Sequence, residues 1–212
     1  NWPDTVIARS LRYGVGHDGH ALIDFMPFQH LSDDDLTAVI SYLKAAPGVH
    51  NEVPKTTYTV LGNLLRAFAI VPVGPSHEIP KTIVEEPTTE YGKYLVESVA
   101  NCRGCHTNRD MKTGKFDGPF YGGGFHMPSE TRPDVFVVTP NISTDPAHGR
   151  LAKWTEDEFL ARFRKGRKLK ESTMPWGPFS RMNETQIRAI YKYITSLPPV
   201  NNDPGPVIVA IH

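Results

Sequence analysis

Apolar residues recur at helical spacing in four stretches of this chain, and each stretch carries its own start signal. Tyr91, Leu95, Val96 and Val99 follow Thr88-Thr89-Glu90, which predicts a helix over residues 88–101. Thr155-Glu156-Asp157-Glu158 offers an N-cap and an acidic first turn, predicting a helix that ends near Arg164. Asn183-Glu184-Thr185-Gln186 caps a last helix to about Ser196, stopped by Pro198-Pro199. Near the start, residues 4–13 and 32–45 predict the same pair of helices again. Between the helices, residues 110–149 are rich in Gly, Pro, Asn and Thr and read as a long loop, with Val135-Phe136-Val137-Val138 briefly extended. The apolar stretch 59–72, interrupted by Arg66, predicts a short connecting helix packed between modules; a surface for a partner or a membrane interface is its other reading. The pattern as a whole is mainly α with long loops.

The two helix pairs belong to a repeat. Trp2 matches Trp154, Arg12 matches Arg164 and Gly14 matches Gly166. Met26-Pro27-Phe28 matches Met174-Pro175-Trp176, Tyr42 matches Tyr193 and Pro47 matches Pro198. So many coincidences in one order predict a module over 88–200, preceded by the back part of a similar module over 1–50. Residues 51–87 are then a linker and 201–212 a tail. A half-module would leave apolar faces bare at about 25 cal/mol per Å². The expectation is therefore that the front half of the first module has been lost from this sequence.

Composition narrows the function. Lys+Arg and Asp+Glu are both 23, so a nucleic-acid backbone gains no general attraction. The 19 prolines and 17 glycines agree with a loop-rich chain. No apolar run reaches the roughly 18–20 residues that span a bilayer. Asn1-Trp2-Pro3-Asp4 has none of the marks of a leader peptide, which leaves the compartment open.

The chemistry is concentrated in Cys102-Arg103-Gly104-Cys105-His106, which contains the only two cysteines. C-x-x-C-H reads as a covalent haem attachment site. Each thiol adds to one porphyrin vinyl group, and the adjacent histidine lies under the iron as proximal ligand. Three rivals stand beside it. Zinc wants four ligands, and with no second cysteine pair it would have to recruit His126 and His148. A redox-active pair expects a βαβ setting that the pattern lacks. A chance match to two structural cysteines is the third, and haem is preferred to all of them. Of the five methionines, Met174 is the favoured sixth ligand. It sits in a loop between two predicted helices, proline follows it and holds the backbone extended, and its counterpart Met26 recurs with the same proline. Met127, in His126-Met127-Pro128, is the alternative.

These residues resemble a known family. Gly92-Lys93-Tyr94-Leu95, Asn101-Cys102-x-x-Cys105-His106, Gly122-Gly123, Pro140-Asn141-Ile142-Ser143, Trp154-Thr155-x-x-x-Phe159, Arg164, Gly166, Met174-Pro175 and Ala189-Ile190-Tyr191-x-Tyr193 are similar to the c-type cytochrome subunits of membrane-associated bacterial alcohol, gluconate and fructose dehydrogenases. Residues 2–54 resemble the back part of a preceding domain of the same kind, in a tandem class I cytochrome c. The resemblance implies haem c held by Cys102 and Cys105, with His106 and Met174 as axial ligands. It also implies Asn141 and Trp154 beside the propionates and added charge from Arg164. Met26 would ligate the iron of a second haem wherever the missing front half exists. The ring N–H of His106 is expected to reach a backbone carbonyl within 118–124, with Pro119 the first choice.

The expected function is electron transfer, not catalysis. Partners would be redox proteins: a dehydrogenase or quinol-oxidising complex as donor, an oxidase or soluble cytochrome as acceptor, with the membrane surface a further contact. Haem c is attached outside the cytoplasm in bacteria, which places the chain in the periplasm or on the outer membrane face. The exposed haem edge near Cys102 is the expected docking surface. Two alternatives are a peroxidase-like di-haem cytochrome with an open iron and a structural haem subunit of a respiratory or photosynthetic complex.

Overall fold

The computed structural model describes residues 2–23, 28–54, 56–110 and 113–211, which form two compact units, 1–83 and 84–212. Met26, the expected ligand of a second iron, lies outside the described residues.

The first unit contains α1 (Asp4–Tyr13), a 3-10 turn (Phe28–His30), α2 (Asp33–Ala45) and α3 (Val60–Phe68). Helix α1 stops where Gly14 takes a left-handed conformation, φ 62°, which glycine adopts without a Cβ penalty. The Ser32 hydroxyl accepts the Asp35 N–H and caps α2. Arg12 is buried beneath this junction, donating to the carbonyls of Gln29 (3.1 Å) and Leu31 and pairing with Asp33 at 2.8 Å. The segment expected to be linker folds back here: Asp33 and Asp34 N–H groups donate to the carbonyls of Pro80 (3.2 Å) and Lys81 (3.0 Å), so the first unit runs on to residue 83. Helix α3 forms as expected but is not a packed connector. Val60, Leu61, Leu64, Leu65 and Phe68 all remain exposed.

The second unit begins with α4 (Thr89–Tyr94), capped by the Thr88 hydroxyl. It does not continue as a regular helix to residue 101. Leu95–Val99 widens into a π-helical turn in which the Ala100 N–H reaches the Leu95 carbonyl at 2.7 Å. Next come α5 (Cys102–Cys105), β1 (His126–Pro128), β2 (Val135–Val138), α6 (Glu156–Arg164), α7 (Trp176–Ser180), α8 (Glu184–Ser196) and β3 (Ile208–Ala210). The strands form an antiparallel sheet in the order β1-β2-β3, with Met127 opposite Val137 and Phe136 opposite Val209. The residues expected to be a free tail thus supply an edge strand.

The core of this unit lies where α4 crosses α8. Ile187, Ile190 and Val96 are almost wholly buried there. Gly92 makes the crossing possible: a Cβ at that position would run into the Ala189 carbonyl and the Tyr193 side chain. Capping boxes start α6, through Thr155 and Glu158, and α8, through Asn183 and Gln186. Arg188 ties the two helices together, reaching Glu156 at 3.0 Å, Asp157 at 2.8 Å and Glu184 at 2.7 Å. Fold class is therefore mainly helical with one small sheet.

Candidate haem site

Helix α5 is a single turn, so Cys102 and Cys105 lie three positions apart on one face. The thiols are free, not joined to each other. Asn101 enters the turn with φ 50° and lays its side chain where any side chain on Gly104 would have to go. Burial raises both thiols: Cys102 is pushed up to about 12, with the neighbouring Cys105 a second cause, while Arg109 partly offsets the rise at Cys105. Without an electrophile both sulfurs stay protonated at neutral pH, which makes them poor metal ligands and weak nucleophiles.

His106 closes the turn and is 9% exposed. Its Nδ1 lies 2.9 Å from the carbonyl of Pro140, 34 residues further along the chain. That contact fixes Nδ1 as the donor and leaves Nε2 with a lone pair for a metal. Burial lowers the imidazole pKa against the opposing pull of the Pro140 carbonyl, so the ring is neutral, as a ligand must be. The expected partner, Pro119, is engaged elsewhere: its carbonyl accepts the Gly122 N–H at 3.1 Å. Gly123 explains the change of partner. Its N–H donates to the His106 carbonyl at 2.8 Å, and a Cβ on it would meet Thr139, Pro140 and Asn141 backbone atoms at 2.5 Å. With φ 74° and no side chain, Gly123 lets the 139–141 backbone close onto the histidine.

Asn141 is wholly buried, and its amide has a different role from the expected propionate contact. Its two amide hydrogens go to the carbonyls of Val200 (2.7 Å) and Asn202 (3.0 Å), and its oxygen accepts the Ser143 N–H at 2.9 Å. It clamps the Pro140 loop to the chain beyond α8 and leaves no N–H for a carboxylate. Arg164 likewise donates to two carbonyls, Ser180 and Met182, each at 2.6 Å. Trp154 differs from both. The Tyr191 hydroxyl holds its backbone carbonyl at 2.7 Å, and among the described residues its half-buried indole N–H has no hydrogen-bond partner.

Met174 lies half-buried in the loop between α6 and α7, where its carbonyl accepts the Trp176 N–H at 2.7 Å. The two methionine candidates share one corner, since Thr173 Oγ1 donates to Met127 Sδ at 3.3 Å. The Met127 sulfur is thereby engaged. The zinc reading loses its ligands: His126 packs on Phe136 and His148 approaches Asp203, and no group of three or more metal-binding side chains occurs among the described residues. Two contributors escaped sequence reading. Pro140 was visible as a residue but not as an acceptor, and Tyr191 looked like a packing residue when its hydroxyl also positions Trp154.

The donor set suits haem c: two free thiols one turn apart, a neutral histidine oriented through Nδ1, and an indole N–H with no protein partner. Comparisons with known proteins agree. Residues 87–194, about half of the chain, match the family described as cytochrome c oxidase, cbb3-type, subunit III. The chain is 28% identical to the "Alcohol dehydrogenase (quinone), cytochrome c subunit" of Gluconacetobacter polyoxogenes, over 92% of this chain and 44% of that protein. It is 29% identical to the "Fructose dehydrogenase cytochrome subunit" of Gluconobacter japonicus, over 65% of this chain and 27% of that protein. With the "Gluconate 2-dehydrogenase cytochrome c subunit" of Pantoea cypripedii it shares 23% identity, over 89% of this chain and 46% of the relative. The chain thus spans less than half the length of these curated relatives. It belongs to the cytochrome c family described as cytochrome c oxidase, cbb3-type, subunit III, and is an electron-transfer component rather than a catalytic subunit.

Proposed function

We propose that the second unit carries one haem c on thioether bonds from Cys102 and Cys105, with His106 Nε2 and Met174 as axial ligands. Bound there, haem supplies an iron that alternates between ferrous and ferric states. The chain does the rest. The Pro140 carbonyl holds the His106 proton on Nδ1, and the buried loop clamped by Asn141 keeps that carbonyl in place. The Trp154 indole N–H is suited to donate to a propionate. A thioether ligand opposite histidine raises the reduction potential, which suits an acceptor of electrons from a dehydrogenase or a quinol-linked donor and their release to an oxidase or soluble cytochrome. Residues 1–50 are read as the back part of a preceding cytochrome c module, with Met26 as the iron ligand of a second haem in a longer protein. Covalent attachment of haem c places the chain outside the cytoplasm, in the periplasm or at the outer membrane face. No helix among the described residues is long and apolar enough to cross a membrane.

The observation that carries this reading is the 2.9 Å contact from His106 Nδ1 to Pro140. The test is the absorption spectrum of the ferric protein. Methionine ligation gives a weak red band and low-spin iron, and Met174→Ala should abolish the band while Met127→Ala leaves it. A high-spin spectrum in the unaltered protein would overturn the ligation and favour the peroxidase-like alternative.

A further inference from the structure

The chain has no formal net charge, yet Arg162 to Lys170 reads RFRKGRKLK: six cations in nine residues and no anion. This run ends α6 and leads into the Met174 loop. Its arginines are turned inward. Arg162 donates to the Gly166 carbonyl at 2.6 Å and lies over the Trp176 ring, while Arg164 holds the Ser180 and Met182 carbonyls. Arg167 holds the Lys170 carbonyl at 3.2 Å and the Ser172 carbonyl, and approaches Glu130 at 3.8 Å. Guanidinium forks thus fix the path of the loop, and the left-handed Gly166, φ 64°, turns it. The lysines are displayed. Lys165, Lys168 and Lys170 are all exposed, and none has a hydrogen-bond or ion-pair partner among the described residues.

The fold does not demand these charges. In the first unit the matching stretch between Gly14 and Met26 contains no lysine or arginine at all. Nor does the loop resemble a membrane anchor: Leu169 is its one large aliphatic residue and is not exposed. The acids nearest in sequence or contact, Glu130 and Glu171, leave a clear positive excess.

We propose that Lys165, Lys168 and Lys170 form a docking face for an acidic surface of a redox partner protein, on the Met174 side of the unit rather than at the thioether edge near Cys102. The inference rests on the proposed ligation by Met174, which would put the iron directly behind this loop. Fixed lysines attract an acidic partner during diffusion and orient it there, raising the rate of encounter without requiring a large interface.

The test uses haem-loaded protein and the variant Lys165→Glu/Lys168→Glu/Lys170→Glu. Both are reduced and then oxidised in stopped flow by ferricyanide, a trianion, or by tris(phenanthroline)cobalt(III), a trication, each taking one electron from the protein. At low salt the variant should react about tenfold slower with ferricyanide and faster with the cobalt complex, and the contrast should vanish at high salt. Polyglutamate should shift the backbone amide resonances of residues 165–170 in the parent and not in the variant. Equal rates for parent and variant with both reagents would overturn the proposal. So would loss of flotation with anionic vesicles in the variant while its ferricyanide-to-cobalt rate ratio is unchanged, because the face would then serve lipid headgroups. The ferric spectrum of each protein, taken before mixing, separates failure of this inference from failure of the Met174 ligation.

Discussion

Helices α2 and α8 are each 13 residues long, start on a polar cap at Ser32 or Asn183, and are followed by a matching proline, Pro47 or Pro198. Their surroundings differ completely. In α8, Ala189, Ile190, Tyr193 and Ile194 are buried; the matching Ala38, Val39, Tyr42 and Leu43 of α2 are exposed, with Tyr42 at 76% against 7% for Tyr193. The difference is α4, whose Gly92 lets it settle onto Ala189. Nothing among the described residues of the first unit does the same for Ala38. An apolar stripe specifies which face can be buried; only a partner element decides whether it is.

The junctions between helices tell the opposite story. Arg12 and Arg164 end matching helices, are followed by left-handed glycines at φ 62° and 64°, and reach carbonyls at matching places, Gln29 and Leu31 in one unit, Ser180 and Met182 in the other. Here local sequence was sufficient, because both partners lie within about 20 residues and one turn connects them.

The sharpest way to break the comparison is at the crossing. Gly92→Val would drive a branched side chain into the Ala189 backbone, and the second unit should fail to fold or lose at least about 4 kcal/mol. Ala38→Val, at the open counterpart of Ala189, should stay within about 0.5 kcal/mol. Urea unfolding followed by haem absorbance and by far-UV dichroism checks both. Next in size, Ile190→Ala should cost about 2–4 kcal/mol by leaving a cavity, whereas Val39→Ala should move the midpoint barely at all.

The arginines should reverse that order. Arg12 is buried and paired with Asp33, so Arg12→Ala leaves carbonyls and a carboxylate without their cation and should cost about 2–3 kcal/mol. Arg164 is exposed, and Arg164→Ala should cost nearer 1 kcal/mol. If Arg164→Ala proved the more damaging in denaturant titrations, the matching of the two junctions would need another explanation.

The smallest effect concerns helix starts. Thr155→Ala should weaken α6 by about 1 kcal/mol. The backbone N–H of Thr155, and then its hydroxyl, hold the Glu158 carboxyl below its usual value. A depressed carboxyl stabilises the folded state above its unfolded pKa, and that stabilisation is lost as pH falls through the folded value. The stability difference between the parent and Glu158→Gln should therefore be complete near neutrality and disappear in acid, as thermal unfolding at a series of pH values would show. Helix α1 has Pro3 at its N-cap with no side-chain bond, so no such pH dependence should arise there.

Much of the site was legible in advance because it is written locally. Cys102, Cys105 and His106 are consecutive in one turn, and Met174-Pro175 is set apart by its place between two helices. Roles that depend on long-range approach were not. Asn141 and Arg164 were expected near a propionate on resemblance alone, and the structure engages both with backbone carbonyls. The three residues of β3 are too few to show a periodicity, and their pairing to β2 depends on the path of the chain after α8.

The helices, their caps, the left-handed glycines at their ends and the spacing of the thiols follow from residues within one or two turns of each other, where few conformations compete. The acceptor for His106, the seat of α4 on α8 and the burial of Asn141 required segments 34 to about 100 residues apart to meet. No local preference encodes such a meeting. It emerges when the backbones approach as closely as Gly92 and Gly123 allow, and it is that approach which turns a cysteine pair and a histidine into a pocket with a fixed proton and an open ring nitrogen.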